Sequence, residues 1–177
     1  MNGKNQEKRI EIYLKSQDNN YRYALGTTGD KTLYCFGINP STATNIRDDP
    51  TIKKVKSAAK KSGFNNVVML NIYPQRATDP DNLDNKINTK EHKKNLQIIM
   101  SVIKNGSTVW AAWGNLIDKR AYLIDCLNEI QCKLKAKNIC WVKMDKLTKK
   151  GNPRHPLYLK YQAFSEFEND CVKIIKY

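Results

Sequence analysis

Three largely apolar runs, residues 32–38, 67–72 and 108–113, constrain this chain more than any other feature in it. A strand with one face in water alternates apolar and polar residues, whereas a strand covered on both faces reads as continuous apolar sequence. Each run is followed by a polar loop and then by a stretch of helical period. After the first, Asp49 is placed to cap a helix, Pro50 suits its first position, and Gly63 suits its stop. Ile52, Val55 and Ala59 mark the buried stripe of that helix, with Lys53, Lys54, Lys56, Lys60 and Lys61 facing water. A second helix is predicted over about 89–104, with Leu96, Ile99 and Ile103 inward. A third is predicted from Asn115, its expected cap, with the stripe Ile117, Ala121, Ile124, Leu127, Ile130 and Leu134. Residues 139–142 read as a fourth core strand, and a closing helix from about Gln162 is expected on Phe164, Phe167, Cys171 and Ile174. Strands alternating with helices over short connections mean βαβ units and a largely parallel sheet covered by helices. Residues 10–14 and 21–25 also have strand character and add an N-terminal β extension.

A chain of 177 residues is one domain by length, read here as a flexible tail at 1–9 and a single α/β domain at 10–177. A domain this size buries roughly 70% of the surface its unfolded chain exposes, so it needs no disulfide or metal staple. No apolar run approaches the roughly 20 residues of a membrane helix, and the N-terminus lacks the apolar core of a signal peptide. A cytoplasmic protein with no membrane partner is expected. The five cysteines, Cys35, Cys126, Cys132, Cys140 and Cys171, are odd in number and show no CxxC spacing. They read as buried, reduced thiols, and no motif calls for a metal or an organic cofactor. Lys and Arg total 31 against 17 Asp and Glu, a net charge of +14. That excess favours nucleic acid or a nucleotide as partner, with no obligate protein partner evident.

Ligands on parallel sheets bind beyond the C-terminal ends of the strands, so the strand-end loops are the place to look. The first core strand ends Gly37-Ile38-Asn39-Pro40-Ser41-Thr42-Ala43. There Gly37 allows close backbone approach, Asn39 offers an amide, Pro40 fixes the turn, and Ser41 and Thr42 add hydroxyls. The second strand ends at Asn71, whose paired donor and acceptor suit the edge of a base or an amide. Tyr73 and Arg76 follow, the latter suited to a phosphate, a carboxylate or an Asp partner. The third ends Trp113-Gly114-Asn115, where Trp113 can stack on a planar ligand. The last loop places His155 between Arg154 and Pro156, and its cationic neighbours are expected to favour neutral imidazole. His92, flanked by lysines, reads as a solvated helix residue. Structural roles compete at each position: loop support for the asparagines, an ion pair for Arg76, core packing for Trp113 and His155.

The strings Asn39-Pro40-Ser41-Thr42-Ala43, Asp49-Pro50-Thr51-Ile52, Asn71, Arg76-Ala77-Thr78-Asp79-Pro80, Trp113-Gly114 and His155-Pro156-Leu157-Tyr158 resemble a bacterial and phage family known as domain of unknown function 1643. Their order is also similar, more distantly, to the uracil-DNA glycosylase superfamily. That likeness implies a three-layer α/β/α fold with a short, mainly parallel four-stranded sheet. It implies cleavage of an N-glycosidic bond in DNA, a nucleotide or a nucleoside. In it Gly37, Asn39 and Pro40 position the attacking water, Asn71 reads the pyrimidine edge, and His155 with Pro156 stabilises the leaving base. Asp48 or Asp49 would serve as the base, and Phe36, Tyr73 or Trp113 as a stacking partner. The sequence departs from that superfamily after His155-Pro156, where Leu157-Tyr158-Leu159 replaces a serine and a small or Leu wedge. Two other readings stay open. One is a non-catalytic nucleic-acid or nucleotide-binding module using the Lys-rich helix 50–62 and the loop 149–154. The other is an enzyme acting on an unrelated small molecule.

Overall fold

The computed structural model describes residues 9–167. In chain order its elements are β1 (Ile10–Lys15), β2 (Arg22–Thr28), β3 (Thr32–Gly37), α1 (Pro50–Lys61), β4 (Asn66–Asn71), α2 (Thr89–Val102), β5 (Thr108–Ala111), α3 (Ala121–Leu134), β6 (Cys140–Met144) and β7 (Phe164–Glu166). Short 3₁₀ turns occupy Pro80–Asn82, Gly114–Lys119, Lys135–Lys137 and Pro156–Tyr158.

The strands form one mixed sheet of seven, in the order β1-β2-β4-β3-β5-β6-β7. Neighbours β4, β3, β5 and β6 pair in parallel, while β1–β2, β2–β4 and β6–β7 pair antiparallel. The sheet is therefore larger than the four strands expected. β2 covers the outer edge of β4 along Val68–Leu70 and β7 that of β6 along Val142–Met144, which shields part of each parallel edge strand. Side chains alternate between two cores. Leu33, Cys35, Val67, Met69 and Trp110 pack against Ile52, Val55, Ala58 and Ala59 of α1. Tyr34, Phe36, Val68, Leu70 and Val109 pack on the other face against Leu96 and Ile99 of α2 and Leu123, Leu127 and Ile130 of α3. The continuous apolar runs are thus strands with a helix on each side.

Several expectations are corrected. The third helix does not begin at Asn115. A 3₁₀ turn runs to Lys119, and Arg120 then breaks the helical path with φ −140° and ψ 132° while its guanidinium binds the carbonyls of Asp81, Leu83 and Asp84. The helix restarts in a new phase, so Leu123 and Cys126 turn inward and Ile124 is 41% exposed. Asn115 caps nothing; its side-chain carbonyl accepts from Thr148 and Asn152. Residues 164–166, expected as helix, are β7, because Phe164 meets Trp110 and Phe64 edge-on while its backbone pairs with Met144. The expected helical positions Cys171 and Ile174, and the tail before Arg9, lie outside the described residues. His92 is buried, with Nε2 2.9 Å from Glu129 Oε2 of α3. Cys35 and Cys126 are buried, but Cys132 and Cys140 are exposed. Among the described residues no helix is long and apolar enough to cross a membrane.

Candidate functional site

A cleft of about 400 Å³ opens where β3 and β4 end and α1 begins. Gly37, Asn39, Ser41 and Thr42 line it from the loop after β3, Asn71 from the end of β4, and Asp49, Pro50 and Thr51 from the start of α1. His155, Leu157 and Tyr158 close it from the last loop, and Arg22 reaches it from β2. Parallel pairing of Gly37 with Asn71 brings the two strand ends together. A Cβ at position 37 would sit 3.4 Å from Asn71 Oδ1, an ordinary van der Waals contact.

The polar groups differ in what they have left to offer. Asn39 Nδ2 donates to the carbonyls of Ala77 at 2.8 Å and Pro40 at 3.0 Å, so its Oδ1 is the atom able to accept from a ligand or a water. Asn71 is 1% exposed, and its Nδ2 has no hydrogen-bond partner. A buried amide donor without a partner costs about 1–3 kcal/mol, which a ligand carbonyl would offset. Asp49 Oδ1 caps α1 by accepting from Ile52 N at 2.9 Å. Asp48 instead holds Lys56 Nζ with both oxygens at 2.8 Å and does not line the cleft.

His155 is positioned by its loop and by Gly114. Its Nδ1 accepts the Leu157 N–H at 3.3 Å, which in the neutral ring leaves the proton on Nε2. Burial pushes its pKa below the ordinary value, against an opposing pull from Asp49. The direction matches the sequence reading, but the cause is desolvation rather than the neighbouring cations. Gly114 has φ +67°, donates to Pro153 O at 2.9 Å, and would place a Cβ 3.1 Å from that of His155. It supports the histidine rather than touching the cleft.

Besides Gly114, five residues expected to contact a ligand are placed elsewhere. Pro40 O accepts the Ala77 N–H and fixes the loop. Tyr73 is buried, its hydroxyl accepting from Asn88 N at 2.9 Å. Arg76 donates to Ser41 O, Ala43 O and the Tyr13 hydroxyl, tying the β3 loop down. Trp113 packs edge-on against Trp141 and Phe167 in the core. Arg154 donates to Lys146 O at 2.9 Å and lies 3.6 Å from Asp145. The stacking candidates Phe36, Tyr73 and Trp113 are all buried away from the cleft. Tyr158 is the aromatic at its mouth, 81% exposed, with its ring centroid 6.0 Å from that of His155.

Two contributors escaped the sequence reading. Asn95, fully buried on α2, donates to Asn71 O at 2.9 Å and so braces the strand end. Its signal was an amide sitting beside Leu96 in an inward stripe. Arg22 is 2% exposed, and a lone arginine opening an apolar strand was its signal.

Fold and site together define an α/β protein with a polar cleft at the C-terminal edge of its parallel strands. A family model described as protein of unknown function (DUF1643) matches residues 22–157, and the chain belongs to that family. The matched segment begins at Arg22 and ends at Leu157, both of which line the cleft. No curated protein and no solved structure matches the chain.

Proposed function

We propose that the cleft binds a nucleobase and hydrolyses its N-glycosidic bond, in the manner of the uracil-DNA glycosylase superfamily that the sequence resembles. The observation that carries this reading is the convergence of Asn39, Asn71, Asp49 and His155, from four separate segments, on one cleft. Asn71 Nδ2 is an unpartnered donor for a base carbonyl. Neutral His155, with its proton on Nε2, donates to a carbonyl oxygen on which negative charge grows as the base leaves. Asn39 Oδ1 orients a water, and the free oxygen of Asp49 takes its proton. In the step itself, the bond from the anomeric carbon to the base nitrogen breaks and its electron pair goes to the base. The water oxygen bonds to that carbon, and the proton lost from water ends on the departing base. Tyr158 takes the stacking role.

The reading as a polynucleotide-binding module has less support, because several cations it would use are engaged. Lys54 donates to Leu157 O and Leu159 O, Lys56 meets Asp48, Lys150 meets Asp118, and Arg154 meets Asp145. The test is release of free base from nucleosides, nucleotides and DNA carrying uracil, mismatched or damaged bases. Wild-type protein is expected to release base, with His155→Ala and Asn39→Ala reduced about 100-fold or more. Release unaffected by both substitutions, or no release from any substrate, would overturn the proposal.

A further inference from the structure

Among the described residues, Arg22 is the least explained charge. Its guanidinium is buried at the cleft wall, Nη1 donates to Ala43 O at 3.0 Å, and Nε has no partner. It makes no ion pair among the described residues. Nor is it needed to hold the β3 loop, since Arg76 donates to both Ser41 O and Ala43 O. The two guanidiniums repel one another, and Asp49, which caps α1, attracts Arg22 without forming an ion pair with it. A buried charge without a partner is strongly unfavourable, so a chain that keeps one beside a cleft gains when an anion arrives. Thr51 at the start of α1 and the hydroxyl residues Ser41 and Thr42 line the same space. The helix dipole adds positive potential at that end.

We propose that Arg22 anchors an anion subsite within the cleft, and that the group it takes is the terminal phosphate of a nucleoside monophosphate. The ligand class rests on the nucleobase reading above; the anion subsite does not. A phosphate inside a polymer has chain leaving on both sides and must lie in an open groove. Arg22, 2% exposed, is reached by the end of a ligand, not by its middle. Asn71, the donor for the base, is as deeply buried, so base and phosphate share one cleft of about 400 Å³. That volume lies toward the small end of the roughly 300–1,000 Å³ usual for small-molecule pockets. A single nucleotide fits this description, and a strand of DNA does not.

The experiment is calorimetric titration of the full chain with inorganic phosphate, with nucleosides and with their 5′-monophosphates. Monophosphates are expected to bind wild-type protein at least tenfold more tightly than the matching nucleosides. In Arg22→Met, whose apolar side chain keeps the stem and removes the charge, that ratio falls to about one. Asp49→Asn retains a good helix cap and removes the competing carboxylate, so it is expected to bind phosphate about threefold more tightly than wild type. This second variant decides the matter if Arg22→Met does not fold. Phosphate binding that is equal in wild type and folded Arg22→Met, or weakened in Asp49→Asn, would overturn the subsite. Arg22-dependent phosphate binding with no preference for any monophosphate over phosphate itself would keep the subsite and reject the nucleotide. Arg22-dependent monophosphate binding without base release would keep this inference and reject the glycosidase.

Discussion

Gly114→Ala separates backbone strain from damage to the site. At φ +67°, alanine enters the left-handed region, at a cost of about 1–2 kcal/mol. The new methyl would also lie 3.1 Å from His155 Cβ, so the histidine must move by a few tenths of an ångström. Gly63 is the matched control: its φ is +83°, and a Cβ there meets nothing within 4 Å. Each kcal/mol lowers the Tm of a domain this size by about 2–4 °C, so Gly63→Ala is expected to lose about 2–8 °C. Gly114→Ala should lose more than its control, by an amount that reports the contact alone. The assay is thermal unfolding combined with NMR of the imidazole groups, which are easily assigned because the chain has only two histidines. The His155 signals should shift in Gly114→Ala and stay in place in Gly63→Ala. Equal Tm losses with unmoved His155 signals in both would refute the claim that Gly114 seats the histidine.

Other predictions follow from the same geometry. Removing the amide of Asn95 leaves the Asn71 carbonyl without its donor, so Asn95→Ala should cost about 1–3 kcal/mol in denaturant unfolding; a loss below about 0.5 kcal/mol would deny it the bracing role. Burial lowers the pKa of His155, so the folded chain holds it neutral while the unfolded chain takes up a proton from pH about 6.5 downward. Its contribution to stability is complete above that pH and is lost as pH falls through the lower folded value. NMR titration showing His155 protonating at or above pH about 6.5 would contradict this.

The parallel core was legible because strands with a helix on each side leave largely apolar runs. α1 was legible because Asp49, Pro50 and the Ile52–Val55–Ala59 spacing point to one answer. What misled was local ambiguity. Phe164 and Phe167 are three apart, a helical spacing, yet Phe164 belongs to a three-residue strand held by its pairing with β6. His92 sits among lysines, and only the packing of α2 on α3 shows that its side turns inward. Cleft residues on strand ends, Asn39 and Asn71, were found by their place after apolar runs. Arg22 was not, because its orientation depends on a pairing irregularity. Ala24 pairs with Leu70 while Tyr21 bridges Gln75, so three steps on one strand face five on the other. Simple alternation along β2 carries no trace of that.

Side-chain NMR during titration with nucleosides and their monophosphates reports whether Asn71 and His155 meet a nucleobase together. One base class is expected to shift the Asn71 side-chain amide and the His155 imidazole with a single affinity. A bound nucleoside that leaves both signals unmoved, or no binding by any of them, would contradict it.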